Sequence, residues 1–272
     1  MKLIKPSFEI LDQGIGLEGV YKQIERVGRT CYKSEDKIAE GTAKPFVDRM
    51  IKSGHGAMLE HGTIYLKLPI EVDSHSNIVS ECKYKNNKYS KVNEYLWDYY
   101  VTTNLRVLIE NNWTKDLQYI CEPTEYHVKR VTVKFTCDRG VSHEFVRHRV
   151  FSFAQESTRY CNYTKDKFGN EITFIEPCWE MQEDEKELYI VCLENMENAY
   201  NALISSGWTP QQARAILPNS LKTELVMTGF VDDWSNFFDL RARGTTGAPH
   251  PQAKELAEPL FTEFINRNII SL

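Results

Sequence analysis

The sequence predicts an α/β or α+β fold, because stretches with strand character are interleaved with long helical ones. Three observations carry this. Residues 63–68 (TIYLKL) and 131–135 (VTVKF) are rich in β-branched and aromatic residues with alternating polarity, as half-buried strands require. Residues 183–205 repeat at helical spacing through Leu188, Cys192, Asn195, Ala199 and Leu203. Thr209-Pro210-Gln211-Gln212 supplies an N-cap, a proline at the first helical position and a glutamine that completes a capping box.

Taken in order, Val47, Met50 and Ile51 mark the face of a helix over 44–53, and Gly54 stops it. The strand at 63–68 follows. Residues 71–127 are polar and rich in asparagine and tyrosine. They read as an insertion holding one helix around 95–110, not as a separate domain. After the strand at 131–135 and the helix at 183–205, the helix opened at Thr209 runs to Leu217 and stops at Pro218. Residues 221–230 form another strand. Asp233 then caps a helix carrying Trp234, Asn236, Phe237, Leu240 and Arg241. A last helix over 252–266 bends at Pro259.

Bulk properties narrow the functional class. A chain of 272 residues, 42% hydrophobic and 26% charged, is an ordinary globular protein and not a disordered one. Its net charge of -5 argues against a dedicated duplex nucleic-acid binder. No apolar run approaches a membrane span, and Pro6, Glu9 and Asp12 interrupt the opening stretch, which does not read as a signal peptide. Seven scattered cysteines without a C-x-x-C pair point away from disulfides and zinc knuckles, towards a reducing cytoplasm.

Against that acidic background, Arg147-His148-Arg149 gathers charge and is followed by Gln155, Glu156, Ser157, Thr158 and Arg159. Metal is not the reading: His143 and His148 are five apart, about 140° round a helix, so they do not share an ion. His55 with Glu60 and His61 has ligand types but no ligand spacing. Two readings remain for the basic run. It is a solvated helix end, or it is an anion grip, as its apolar flanks (Phe145, Val146, Val150, Phe151, Phe153) and its donor-rich sequel suggest. Arg214, among Ala213, Ala215 and Ile216, is a lone arginine on an apolar helix and calls for an anionic partner.

Arg147-His148-Arg149, seven residues and Ser157 together resemble the signature of flavin-dependent thymidylate synthases, the ThyX family. His55…Glu60-His61, Ala213-Arg214-x-x-Leu217-Pro218 and Asn236-Phe237-x-x-Leu240-Arg241 follow in the family's order. The resemblance spans most of the chain outside 71–127. It implies one domain over 1–272, with a central mixed sheet flanked by helices. It also implies methylation of dUMP to dTMP, with carbon from methylenetetrahydrofolate and hydride from FAD reduced by NADPH, without a cysteine nucleophile.

Carried over, Glu144, Arg147, Gln155, Glu156, Ser157, Thr158, Arg159, Arg214 and Arg241 would meet dUMP. Arg241 would be catalytic, favouring the ionised uracil. His55, Ala57, Arg147, His148, Arg149 and Asn236 would meet FAD, in a homotetramer whose subunits share sites. This chain departs from the pattern at Glu144, often glutamine, which should then face the uracil or a cation. Gln155 stands where glutamate is common. Phe230 and Asp232 stand where a polar residue and an arginine commonly touch FAD. Two other functions use the same residues: a non-catalytic nucleotide or RNA-binding module, stacking bases on Tyr84, Tyr89, Tyr95 and Trp97, and a flavoprotein reducing a different substrate.

Overall fold

The computed structural model describes residues 1–75, 77–159, 162–163 and 171–270. Its strands are β1 (Lys2–Ile4), β2 (Ser7–Ile10), β3 (Thr63–Pro69), β4 (Lys91–Tyr95), β5 (Asp98–Asn104), β6 (Arg130–Asp138), β7 (Ser152–Gln155), β8 (Thr173–Ile175) and β9 (Lys222–Phe230). Its α-helices are α1 (Gly16–Tyr32), α2 (Ala43–Lys52), α3 (Gly56–Leu59), α4 (Leu105–Glu110), α5 (Arg139–Phe145), α6 (Glu183–Ser205), α7 (Pro210–Ala213), α8 (Val231–Phe238) and α9 (Pro251–Asn266). The mixed α/β class stands. The strands, expected in one central mixed sheet, divide instead among three sheets.

The four-stranded sheet, ordered β2-β6-β9-β7, is antiparallel throughout and positions the site. Alternation along its strands sorts two faces. Val133, Phe135, Leu225 and Met227 face a core shared with Phe145, Trp234, Phe237 and Phe238, under α5, α8 and α9. Ala154 and Val226 face the other way, onto Val27 of α1. Gly229 is required by packing: a Cβ there would lie 2.5 Å from the Phe151 ring.

The segment 71–127 departs most from expectation. No helix spans 95–110; residues 98–104 are β5, the central strand of a sheet ordered β3-β5-β4, and only α4 is helical. Tyr99 and Val101 are buried against β3, so much of the presumed insertion is core. Pairing with a strand whose partner residues lie 29 to 41 positions away overrides local propensity here.

Other differences are of face and register. In α2, Val47 and Met50 are buried but Ile51 is exposed. Helix α6 has the expected bounds but buries Leu193 and Tyr200 and exposes Leu188 and Cys192, so its inward face lies beside the one anticipated. Asp233 is not the N-cap of α8. Phe230 is, and Asp233 accepts the Phe230 amide at 3.3 Å from the third helical position. The Thr209 capping box forms, but the helix tightens after Ala213 into a 3-10 turn. Among the described residues no helix is long and apolar enough to cross a membrane.

Candidate functional site

Helix α5 starts where Asp138 accepts the Val141 amide at 2.7 Å, and it ends at Phe145, whose ring is fully buried. Residues 146–151 therefore lie beyond the helix, in the connection to β7, and His143 and His148 do not share one helix. Val146 and Val150 are exposed, so the apolar flanks are only half core.

Arg241 comes to this connection from a π-helical turn, Asp239–Arg243, that extends α8. Such turns insert one residue and re-aim the side chains after it. Gly244 closes the turn at φ +67, where a Cβ would lie 2.9 Å from the Gly247 carbonyl oxygen.

The Arg241 guanidinium is held on three sides. Nε donates to His148 Nε2 at 3.0 Å, Nη1 to Glu144 Oε2 at 2.8 Å and Nη2 to the Glu144 carbonyl at 2.8 Å. The Glu144 carboxylate thus faces a cation, one of the two roles its departure from the family pattern allowed. Burial first, and the adjacent Arg241 charge second, push His148 down to about 4. The ring is neutral, accepts at Nε2 and so carries its proton on Nδ1. A cleft of about 610 Å³ is lined by Glu144, Arg147, His148, Arg149, Asn236 and Arg241, among others. Arg147 is exposed and lies 3.7 Å from Glu144.

A second group forms at the far end of β7. The Ser157 amide donates to the Cys31 carbonyl at 3.0 Å, and the Glu156 amide to the Glu224 carbonyl at 2.8 Å, which ties this loop to α1 and β9. Arg214 donates to Thr158 Oγ1 at 3.0 Å and Arg159 to Gln211 Oε1 at 3.1 Å. Arg214 is exposed at the head of the 3-10 turn, not mid-helix as expected. Gln155 is engaged internally, donating to Ser142 and Thr223 hydroxyls.

Glu156 is buried inside a charge cluster, 2.7 Å from Lys222 Nζ and 3.9 Å from Lys33 Nζ; Lys33 also reaches Glu224 at 2.5 Å. Burial opposes the Glu224 carboxylate, but the two lysines outweigh it and hold its pKa below the usual value. Lys33, Lys222, Glu224 and Gln211 are partners that sequence reading missed. They lie far from the motif in the chain, and only the fold brings them near.

The two groups are separated by the length of β7, about 10 Å for four residues. His55 lines a cleft of about 570 Å³ with Lys33 and Arg49, on the Glu156 side. Ala57 is exposed on α3 and Asn236 on α8. The chain thus brings Arg147, His148, Arg149 and Asn236 of the expected flavin residues to one cleft and leaves His55 and Ala57 outside it. Asp232 pairs with Lys91 at 2.6 Å, and Tyr84 is fully buried, which removes it as a base-stacking platform. Burial pushes the Cys31 thiol up to about 11 and raises Cys82, Cys121, Cys137 and Cys178, so none of these is an activated nucleophile.

The sequence model of the family described as "Thymidylate synthase complementing protein" matches residues 122–267. Curated relatives named flavin-dependent thymidylate synthase include one from Geobacter sulfurreducens, 30% identical over 103 residues, covering 38% of this chain and 43% of the relative. One from Pyrococcus furiosus is 31% identical over 152 residues, covering 53% of this chain and 61% of the relative. One from Corynebacterium aurimucosum is 26% identical over 231 residues, covering 80% and 66%. The chain thus spans less than two thirds of the length of the first of these relatives. A solved structure described as a UMP/dUMP methylase PolB from Streptomyces cacaoi bound with 5-Br dUMP gives a TM-score of 0.47 at 16% identity, covering 98% of this chain and 93% of that one.

Proposed function

The chain belongs to the thymidylate synthase complementing protein family, and from that premise we propose that it is a flavin-dependent thymidylate synthase converting dUMP to dTMP. The observation that carries this reading is the Arg241 fork. Three of its N–H groups are spent on Glu144 and His148, which leaves two of an arginine's five for a ligand. A guanidinium fixed in this way needs little reorganisation to meet a uracil ring. It lowers the pKa of the ring nitrogen and directs electron density to the carbon that is methylated. His148, neutral and accepting from Arg241, holds the fork in place.

Ser157, Thr158, Arg159 and Arg214 offer hydroxyl and guanidinium donors from one patch, the chemistry that grips a nucleotide phosphate. Glu156 anchors that loop through Lys222 and Lys33. Arg147, Arg149 and Asn236 point exposed donors at the other cleft, a donor set that fits the oxygens and ring edge of FAD. When bound, the flavin, reduced by NADPH, supplies the hydride, and methylenetetrahydrofolate supplies the carbon. Because β7 separates the two groups and His55 lies with the second, the complete site joins residues of different subunits, as in a homotetramer. His55 and Ala57 would reach the flavin of a neighbour. A cytoplasmic location accords with the six cysteines that are free among the described residues.

The test is dUMP-dependent reoxidation of the reduced flavin, with dTMP as product. A colourless protein that takes up no FAD, or flavin oxidation indifferent to dUMP, overturns the assignment.

A further inference from the structure

Any ring that Arg241 meets in its cleft meets the Glu144 carboxylate as well. Glu144 accepts from Arg241 through Oε2 at 2.8 Å, and both residues line the same space of about 610 Å³. The other oxygen, Oε1, lies 3.7 Å from the exposed Arg147, beyond hydrogen-bond reach. With 31% of its side chain exposed, Glu144 keeps that oxygen as an acceptor for a ligand. Arg241 adds the two N–H groups that His148 and Glu144 do not use. The wall is therefore two donors beside one acceptor.

Pyrimidines differ along the edge that such a wall reads. Uracil offers O2, N3–H and O4, which are an acceptor, a donor and an acceptor. Once N3 is ionised, all three are acceptors. Cytosine offers O2 and N3 as acceptors and its N4 amino group as a donor. Only cytosine matches two donors beside an acceptor, and a carboxylate accepting from N4 is the pairing by which Glu or Asp reads this base. Uracil still meets Arg241 through O2 and N3, but its O4 then faces a carboxylate with no proton between them. A glutamine at this position, as is common in the family, would donate to O4 instead.

We propose, resting on the synthase reading above, that Glu144 widens the substrate class to cytosine deoxynucleotides, and that deoxycytidine monophosphate (dCMP) is methylated at C5 in the same cleft. A carboxylate accepting from N4–H raises the electron density on N4, and conjugation through C4 carries it to C5. No ionisation of the ring is required. C5 forms a bond to the methylene carbon of methylenetetrahydrofolate and gives up its proton. That carbon leaves both folate nitrogens and receives hydride from the reduced flavin, which makes it a methyl group. The C5 proton and the second proton of the reduced flavin complete the two N–H groups of tetrahydrofolate. The products are 5-methyl-dCMP, tetrahydrofolate and oxidised flavin.

The test compares dCMP with dUMP on the full-length, FAD-loaded protein and on Glu144→Gln, which keeps an oxygen for Arg241 and replaces the free acceptor by a donor. By calorimetry, wild type should bind dCMP at least as tightly as dUMP. Glu144→Gln should move the ratio of the two affinities towards dUMP by about tenfold to a hundredfold, the scale for reading one base edge. With methylenetetrahydrofolate and NADPH added, mass spectrometry should find 5-methyl-dCMP from wild type. In the variant, kcat/KM for dCMP should fall while that for dUMP holds or rises, whereas a merely structural role would lower both together. The wild-type comparison carries the test even if Glu144→Gln does not fold. Methylation of dUMP with none of dCMP, or an affinity ratio unmoved by the substitution, overturns the proposal and leaves the synthase reading standing. Methylation of neither nucleotide overturns both.

Discussion

Arg241 donates from Nε to His148 Nε2 at 3.0 Å, joining the π-helical turn after α8 to the Arg147–Arg149 run across 93 residues of chain. The contact makes a histidine embedded between two arginines an acceptor and not a third cation. It therefore reverses the apparent chemistry of the motif: two positive groups flank a neutral ring that aligns a third.

Arg241→Ala is expected to cut dTMP formation by roughly a hundredfold to a thousandfold, the scale for removing one preorganised electrostatic donor. Circular dichroism should show an intact fold. Arg241→Lys should recover little, because an ammonium cannot reproduce the fork to Glu144 and His148. Near-normal turnover in either variant would remove Arg241 from the mechanism.

The same contact has a pH signature. Burial, then a neighbouring arginine, lowers His148 to about 4 and fully buried His61 to about 3, against 6.5 for a free histidine. The unfolded chain therefore binds more protons than the folded one below pH 6.5, so stability is complete above that value and falls as pH drops towards 4. Melting temperatures across this window should decline, with a shallower slope in His61→Gln. An unchanged slope would show that His61 is protonated in the fold.

Lys222→Met should be costly. It removes the ammonium 2.7 Å from buried Glu156, and breaking one side of a buried pair costs about 3–5 kcal/mol. Because Glu156 precedes Ser157, the KM for dUMP should rise more than kcat falls. Denaturant unfolding and steady-state kinetics read the two effects separately, and adding Glu156→Gln should restore part of the stability.

Phe237→Ala addresses the support beneath the site. Its fully buried ring lies 5.0 Å from the His148 ring and touches the Phe145 and Trp234 rings. Truncation should cost about 3–5 kcal/mol and loosen His148. Chemical denaturation measures the first effect, and a raised His148 pKa by NMR reports the second.

How far the chain could be read follows from the range of each interaction. The helix stop at Gly54, the Thr209-Pro210 start and the span of α6 depend on residues within a turn or two of one another, and all three appear as expected. The face of α6 was misjudged because its inward side is chosen by Phe174 and Leu221, which are remote in sequence. Residues 95–104 were read as helix for the same reason: nothing local announces the pairing of β5 with β3.

The site divides along the same line. Residue type, spacing and the family resemblance singled out Arg147–Arg149, Ser157–Arg159, Arg214 and Arg241 as candidates, because a motif is a local arrangement of particular side chains. Which of them meet was settled by packing. The fold turned Glu144 onto Arg241, buried Glu156 among Lys33, Lys222 and Glu224, and set the two halves of the motif at opposite ends of β7. Charge pairing and burial are sums over neighbours from the whole chain, so they exist only once the chain has closed on itself.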